Sequence, residues 1–87
     1  MAYRVLLTAS AERDLEALPK EFLRRVDAQI LALADHPRPQ GVRKLQGAKN
    51  RFRFRVGDYR IIYEIEDKDR VVVVARVRHR REVYRGL

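Results

Sequence analysis

Hydrophobic and polar positions along this 87-residue chain repeat with two different periods, and the change of period divides it. In YRVLL, Tyr3, Val5 and Leu7 fall on one side of a two-residue repeat, which predicts a short strand ending at Thr8. The spacing then lengthens. Ala11, Leu15 and Leu18 share one face of a helix, with Ser10 as the expected N-cap and Glu12 and Asp14 near the positive end of the helix dipole. Pro19 interrupts that helix and suits the first turn of a second, in which Phe22, Val26, Ile30 and Leu33 recur at the four-and-three spacing of a buried stripe. Together they predict a helical hairpin. The segment DHPRPQG breaks the pattern with two prolines and a glycine, and the stretch VRKLQGAKN after it is expected to be irregular.

Two-residue alternation returns at Arg51. Three runs, Arg51 to Val56, Tyr59 to Ile65 and Val71 to Val77, are rich in the β-branched and aromatic residues that suit a pleated surface. The short polar sequences VGDY and EDKD between them predict successive hairpins, hence an antiparallel meander. With the first strand joining the sheet and the helices covering one face, the expected fold is α+β: a two-layer domain with a four-stranded antiparallel sheet packed against an N-terminal helical hairpin. Residues 1–87 are read as a single domain, since a chain this short builds one core.

Charge changes the picture. The net charge is +8, but residues 1–36 carry a net −1 and residues 37–87 a net +9. A cationic second half is the footprint of a polyanion partner, because each neutralised phosphate releases condensed counterions. The chain has no cysteine and two separated histidines, His36 and His79, too few to hold a metal, so no metal or cofactor is expected. Acidic residues follow closely on the first apolar run, so neither a signal peptide nor a membrane span is expected, and a soluble, cytoplasmic protein is.

The basic residues are also patterned. In RFRFRV, Arg51, Arg53 and Arg55 point to one face while Phe52, Phe54 and Val56 point to the other. The same parity separates Arg60, Ile62 and Glu64 from Tyr59, Ile61, Tyr63 and Ile65. Arg76, Arg78 and, if the last strand continues, Arg80 share a side. A basic face assembled from neighbouring strands follows. For Arg51, Lys68, Arg70 and Arg76 an ordinary solvated surface charge is the plainer reading. The tail RVRHRREVYRGL gathers His79, Arg80, Arg81, Tyr84 and Arg85 at a strand end, where a rigid scaffold can aim them. An exposed, unremarkable histidine is the plainer account of His79, and Tyr84 suits either core packing or function.

These residues carry a resemblance. The run VGDYRIIYEIEDKDRVVVVARVRHRREVY resembles the C-terminal half of RelE-like toxins of the RelE/ParE toxin–antitoxin superfamily, and LTASAERDLEALPKEFLRRVDAQILALADHPRPQGVRKLQG is similar to the N-terminal half. The resemblance implies a ribosome-dependent endoribonuclease that cleaves messenger RNA in the A site by attack of the 2′-OH on the adjacent phosphate. Carried over by position, it implies catalytic roles for Arg60, Arg80 and Tyr84, with Arg53 and Arg55 holding RNA phosphate. Arg51, Arg78 and Arg81 would extend that surface, and His79 is a candidate acid or base. Some RelE members carry lysines where this chain has Arg53 and Arg55. An arginine does not serve as a base, its pKa lying above about 12, so the base is left open among Tyr84, His79, ribosomal RNA and solvent. Implied partners are a cognate acidic antitoxin and the ribosome with its mRNA and 16S rRNA, with operator DNA engaged only through the antitoxin. The alternatives are a ParE-like inhibitor of DNA gyrase and an inactive basic RNA-binding module of the same fold.

Overall fold

In the computed structural model, residues 2–47 and 49–79 are described. The chain forms strand β1 (Arg4–Leu7), helices α1 (Ala9–Glu16) and α2 (Lys20–Ala32), and strands β2 (Arg43–Lys44), β3 (Arg51–Val56), β4 (Tyr59–Glu66) and β5 (Val71–His79). Two helices and a sheet make an α+β domain, as the two periods required. The sheet departs from expectation, however: it has five strands in the order β1-β5-β4-β3-β2, and it is mixed. β2 to β5 are antiparallel neighbours, but β1 runs parallel to β5, from Arg4 opposite Val71 to Leu7 opposite Val74. Between β1 and its partner lie both helices and the whole meander, so no tight turn constrains its direction.

The fifth strand is β2, inside the stretch expected to be irregular. It pairs Arg43 with Arg53 and Lys44 with Phe52. Both its residues are exposed, so burial leaves no alternating signature there.

α1 is capped by Thr8 rather than Ser10. The Thr8 hydroxyl accepts the Ala11 N–H at 3.1 Å, and Ser10 lies inside the helix. Pro19 is the N-cap of α2 instead of part of its first turn. α1 lies along β5 and α2 packs against β3. Their apolar stripes, Ala11 and Leu15 from α1 and Val26, Ile30 and Leu33 from the second helix and its end, meet Phe52, Phe54, Val56, Ile61, Tyr63, Ile65, Val72, Val74 and Val77. Tyr63 is fully buried between Phe52 and Phe54, with ring centroids 6.0 and 5.7 Å away. Its hydroxyl donates to the Pro37 carbonyl at 2.8 Å, so burial of the ring leaves no orphaned polar atom and ties the proline loop to the core.

β5 contains an irregularity that decides where its arginines go. Tyr63 pairs with Val74 and Ile62 with Arg76, leaving Ala75 as an extra residue opposite β4, a β-bulge. Strict alternation would put Arg76 and Arg78 on the same face as Val72 and Val74, which are in the core. The bulge resets the parity, so Val77 is buried and Arg76 and Arg78 turn outward. Thr8 fastens this point, since its hydroxyl donates to the Ala75 carbonyl at 2.9 Å and its N–H donates to Val74 O at 3.0 Å.

Candidate functional site

The sheet face away from the helices carries the basic residues in rows. Cross-strand register aligns Arg55 on β3 with Arg60 on β4, and Arg60 with Arg78 on β5. Two residues along, Arg43, Arg53, Ile62 and Arg76 form a second row. Side chains directly opposite on an antiparallel pair share a face with Cβ atoms about 5 Å apart, and like charges in that arrangement repel. A run of guanidinium groups at this spacing costs stability.

The arginines of this face differ in how they are neutralised. Arg51 donates to Glu64 at 2.8 Å, and Arg76 donates to both carboxylate oxygens of Asp14 on α1, at 2.9 and 3.3 Å. Arg43, Arg53, Arg55 and Arg60 take part in no ion pair among the described residues. Arg55 Nε donates to the Gly57 carbonyl at 2.9 Å, which fixes its head beside the hairpin turn. Arg60 Nη1 is buried, yet it has no hydrogen-bond partner among the described residues. A buried donor on a permanent cation is costly without an acceptor, and the acceptor that suits it is an anion. Gly41, Arg43, Arg53, Phe54, Arg55 and Arg60 line a concavity of about 260 Å³ over this point.

The structure therefore brings Arg53, Arg55 and Arg60 together as expected and sets Arg78 beside Arg60. Arg51 belongs to the same face but is paired with Glu64, away from the concavity. His79 is elsewhere. Opposite Tyr59 and one residue beyond Val77's neighbour Arg78, it lies on the helix side, its ring edge-on to Tyr59 at 5.3 Å and beside Asp14, Ala17 and Leu18. Its strand parity separates it from the arginine row. Arg80, Arg81 and Tyr84 lie outside the described residues. Arg43, which the sequence reading missed, lines the concavity because the two-residue β2 holds it opposite Arg53. Its signal was weak: in VRKL only Val42 and Leu45 are apolar, and they flank two charges.

At the other end of the molecule the electrostatics are closed. Arg38 of the proline loop forks onto Asp67 at 3.1 and 2.7 Å, Tyr3 donates to the same carboxylate at 2.7 Å, and the Arg38 guanidinium sits 5.3 Å from the Phe52 ring centre. Hydrogen bonds from Arg38 and Tyr3 hold the Asp67 carboxyl down at about 2. Burial pushes the Tyr63 phenol up to about 12.

Residues 5–84 match the family described as the ParE toxin of the type II toxin–antitoxin system parDE. The chain belongs to the RelE/ParE toxin superfamily. Toxin RelG of Mycobacterium tuberculosis is 36% identical over 86 residues, 98% of this chain and 99% of that protein. Among solved structures, a chain of the archaeal RelE–RelB complex from Pyrococcus horikoshii OT3 has a TM-score of 0.82 at 34% identity, covering 92% of this toxin and 97% of that chain. The toxin–antitoxin complex RelBE2 from Mycobacterium tuberculosis has a TM-score of 0.81 at 33% identity, covering 91% and 99%. The RelE-like assignment of the sequence holds, and the toxin shares its fold with proteins seen bound to antitoxins.

Proposed function

We propose that this toxin is an endoribonuclease that cuts messenger RNA in the ribosomal A site. In the proposed reaction the ribose O2′ bonds to the adjacent phosphorus as the P–O5′ bond breaks. The O2′ proton is lost, O5′ gains one, and the products end in a 2′,3′-cyclic phosphate and a 5′-hydroxyl. The observation that carries this reading is Arg60 Nη1, buried and without an acceptor among the described residues, opposite Arg55 in a concavity lined also by Arg43 and Arg53. Guanidinium groups pair two phosphate oxygens at once and keep their protons, so they suit the charge that builds on a pentavalent phosphorus. Arg60 is assigned that task, with Arg53 and Arg55 holding RNA phosphate and Arg78 extending the surface. Arg80 and Tyr84 join the catalytic set on the strength of the family resemblance, and Arg81 the phosphate-binding one.

Permanent cations do not act as bases, and His79 on the helix side of the sheet is not assigned that role. Catalysis then rests on charge stabilisation and on the ribosome holding the codon in line. The partners of this reading are an acidic antitoxin, favoured by the RelBE complexes of the toxin's relatives and by a site of concentrated positive charge, and the ribosome with mRNA and 16S rRNA. Operator DNA is reached only through the antitoxin, and the setting is cytoplasmic.

End-group analysis of cleaved messenger, with and without ribosomes, tests the proposal. A 5′-hydroxyl product made far faster on ribosomes is expected. A 5′-phosphate, or equally fast cutting of naked RNA, would sink it. The family match, described as a ParE toxin, favours a second reading in which the toxin inhibits DNA gyrase without cutting RNA. A supercoiling assay beside the cleavage assay separates the two.

A further inference from the structure

The two basic rows are separated by two residues of strand, since Arg55 stands opposite Arg60 and Arg53 opposite Ile62. At 3.3–3.4 Å per residue the rows lie about 6.7 Å apart. Neighbouring phosphates on an extended single strand are separated by a distance of that order. The first row holds Arg55, Arg60 and Arg78, and the second presents Arg53 and Arg43 directly opposite each other. Arg76 of the second row is neutralised by Asp14, so its charge-unpaired part is the pair Arg43–Arg53.

That pair needs an explanation. β2 has two residues, both exposed, so burial of its side chains does not hold it on the sheet, and it places one arginine opposite another. The proline loop brings it there. Tyr63 clamps Pro37, Arg38 forks onto Asp67, the Val42 N–H donates to Pro39 O at 3.1 Å, and Gly41 takes φ +87° just before β2. A tethered loop thus delivers Arg43 to the concavity shared with Arg53, Arg55 and Arg60.

We propose that Arg43 and Arg53 form a second phosphate subsite, which binds the phosphate next to the one held by the Arg55–Arg60 row and so sets the strand in register for cleavage. The inference rests on the endoribonuclease reading and adds a positioning residue, Arg43, to it. Two rows at phosphate spacing act as a ruler along the backbone, independent of the bases.

The test compares a nucleoside 3′,5′-bisphosphate with the corresponding 5′-monophosphate, by titration of the isolated toxin in the parent, Arg43→Ala, Arg43→Lys and Arg60→Ala forms. The parent should bind the bisphosphate at least about tenfold tighter than the monophosphate, as one further charge-assisted contact provides. Arg43→Ala should cut that ratio by most of the factor, and Arg43→Lys should restore part of it. Arg60→Ala should weaken both ligands. On ribosomes, Arg43→Ala should raise KM for cleavage more than it lowers kcat. An unchanged bisphosphate preference in Arg43→Ala, while Arg60→Ala still weakens both ligands, overturns the subsite and leaves the endoribonuclease reading standing. Binding of neither ligand by the parent overturns the subsite together with the anion site beneath it.

Discussion

The two ends of the domain spend arginine in opposite ways. Around Asp67, the carboxylate accepts from both Arg38 and the Tyr3 hydroxyl, Arg38 also lies against an aromatic ring, and nearby Arg51 is met by Glu64 and Asn50 by Glu66. Around Arg60, four arginines share a concavity with no acid among its described lining residues. The presence of arginine does not separate these regions, because both contain it. Neutralisation does. An arginine with a partner in the fold is answering a structural need, and one held among other arginines keeps its repulsion for an external anion to relieve.

Removing the charge from the open end should have the largest effect. Arg60→Met keeps most of the aliphatic stem and deletes the guanidinium. Cleavage of ribosome-bound messenger is expected to fall about 10²- to 10³-fold, the usual loss for one donor to a transition-state oxyanion. Thermal stability is expected to stay level or rise, since Arg55 and Arg78 lose a like-charged neighbour. A large drop in stability with activity intact would reverse the two roles.

The paired arginines should show the opposite balance. Asp14 accepts from Arg76 and also from the buried Val77 N–H at 2.9 Å. Asp14→Ala therefore strands a backbone donor as well as a charge. A loss of about 1–3 kcal/mol in denaturant unfolding is expected.

Anions should distinguish the ends more gently. Inorganic phosphate at ten times its Kd contributes about 1.4 kcal/mol by linkage. In a domain this small that is on the order of 5 to 10 °C in Tm. The rise should be seen in the parent and lost in Arg60→Met, when chloride at equal ionic strength is the control. Equal shifts in both proteins would place the anion elsewhere.

The smallest effect concerns the closed end under acid. The Asp67 carboxyl is held at about 2 in the fold, below its ordinary value near 3.9. The stability it supplies is present above the ordinary value and is lost as pH falls from about 4 towards 2. Asp67→Asn should flatten that part of the urea-midpoint profile, and the difference should shrink in salt because the pair is exposed.

Much of this contrast was legible in the chain. RFRFRV and YRIIYEI announced their two faces because each strand keeps one parity from end to end. The helices were legible from four-and-three spacing, and only their caps shifted, since Thr8 and Ser10 are both competent to cap. What escaped was whatever local pattern does not encode. The direction of β1 depends on a partner more than sixty residues away. β2 is too short and too exposed to carry a period. Arg51 was grouped with the open arginines because parity identifies a face but not the Glu64 opposite it on the next strand. The bulge did leave a trace: VVVVARVRH puts Val72, Val74, Arg76 and Arg78 on one parity, a contradiction that an extra residue resolves.

That extra residue makes β5 two strands in tandem with a joint between them. Upstream of Ala75 the phase belongs to folding, and downstream it belongs to the arginine face. A change of even length in the downstream half would preserve both phases, and side chains there could vary without disturbing Val72 or Val74. Deleting Ala75 is a different kind of event. It would remove the joint and leave both phases as they are, because Val74 and Arg76 would become neighbours on opposite faces of a regular strand with Val77 still inward and Arg78 outward, whereas deleting a residue on either side of Ala75 would have to be absorbed by the bulge. The Thr8 hydroxyl, capping α1 while holding the Ala75 carbonyl, is the rivet that keeps this joint in place.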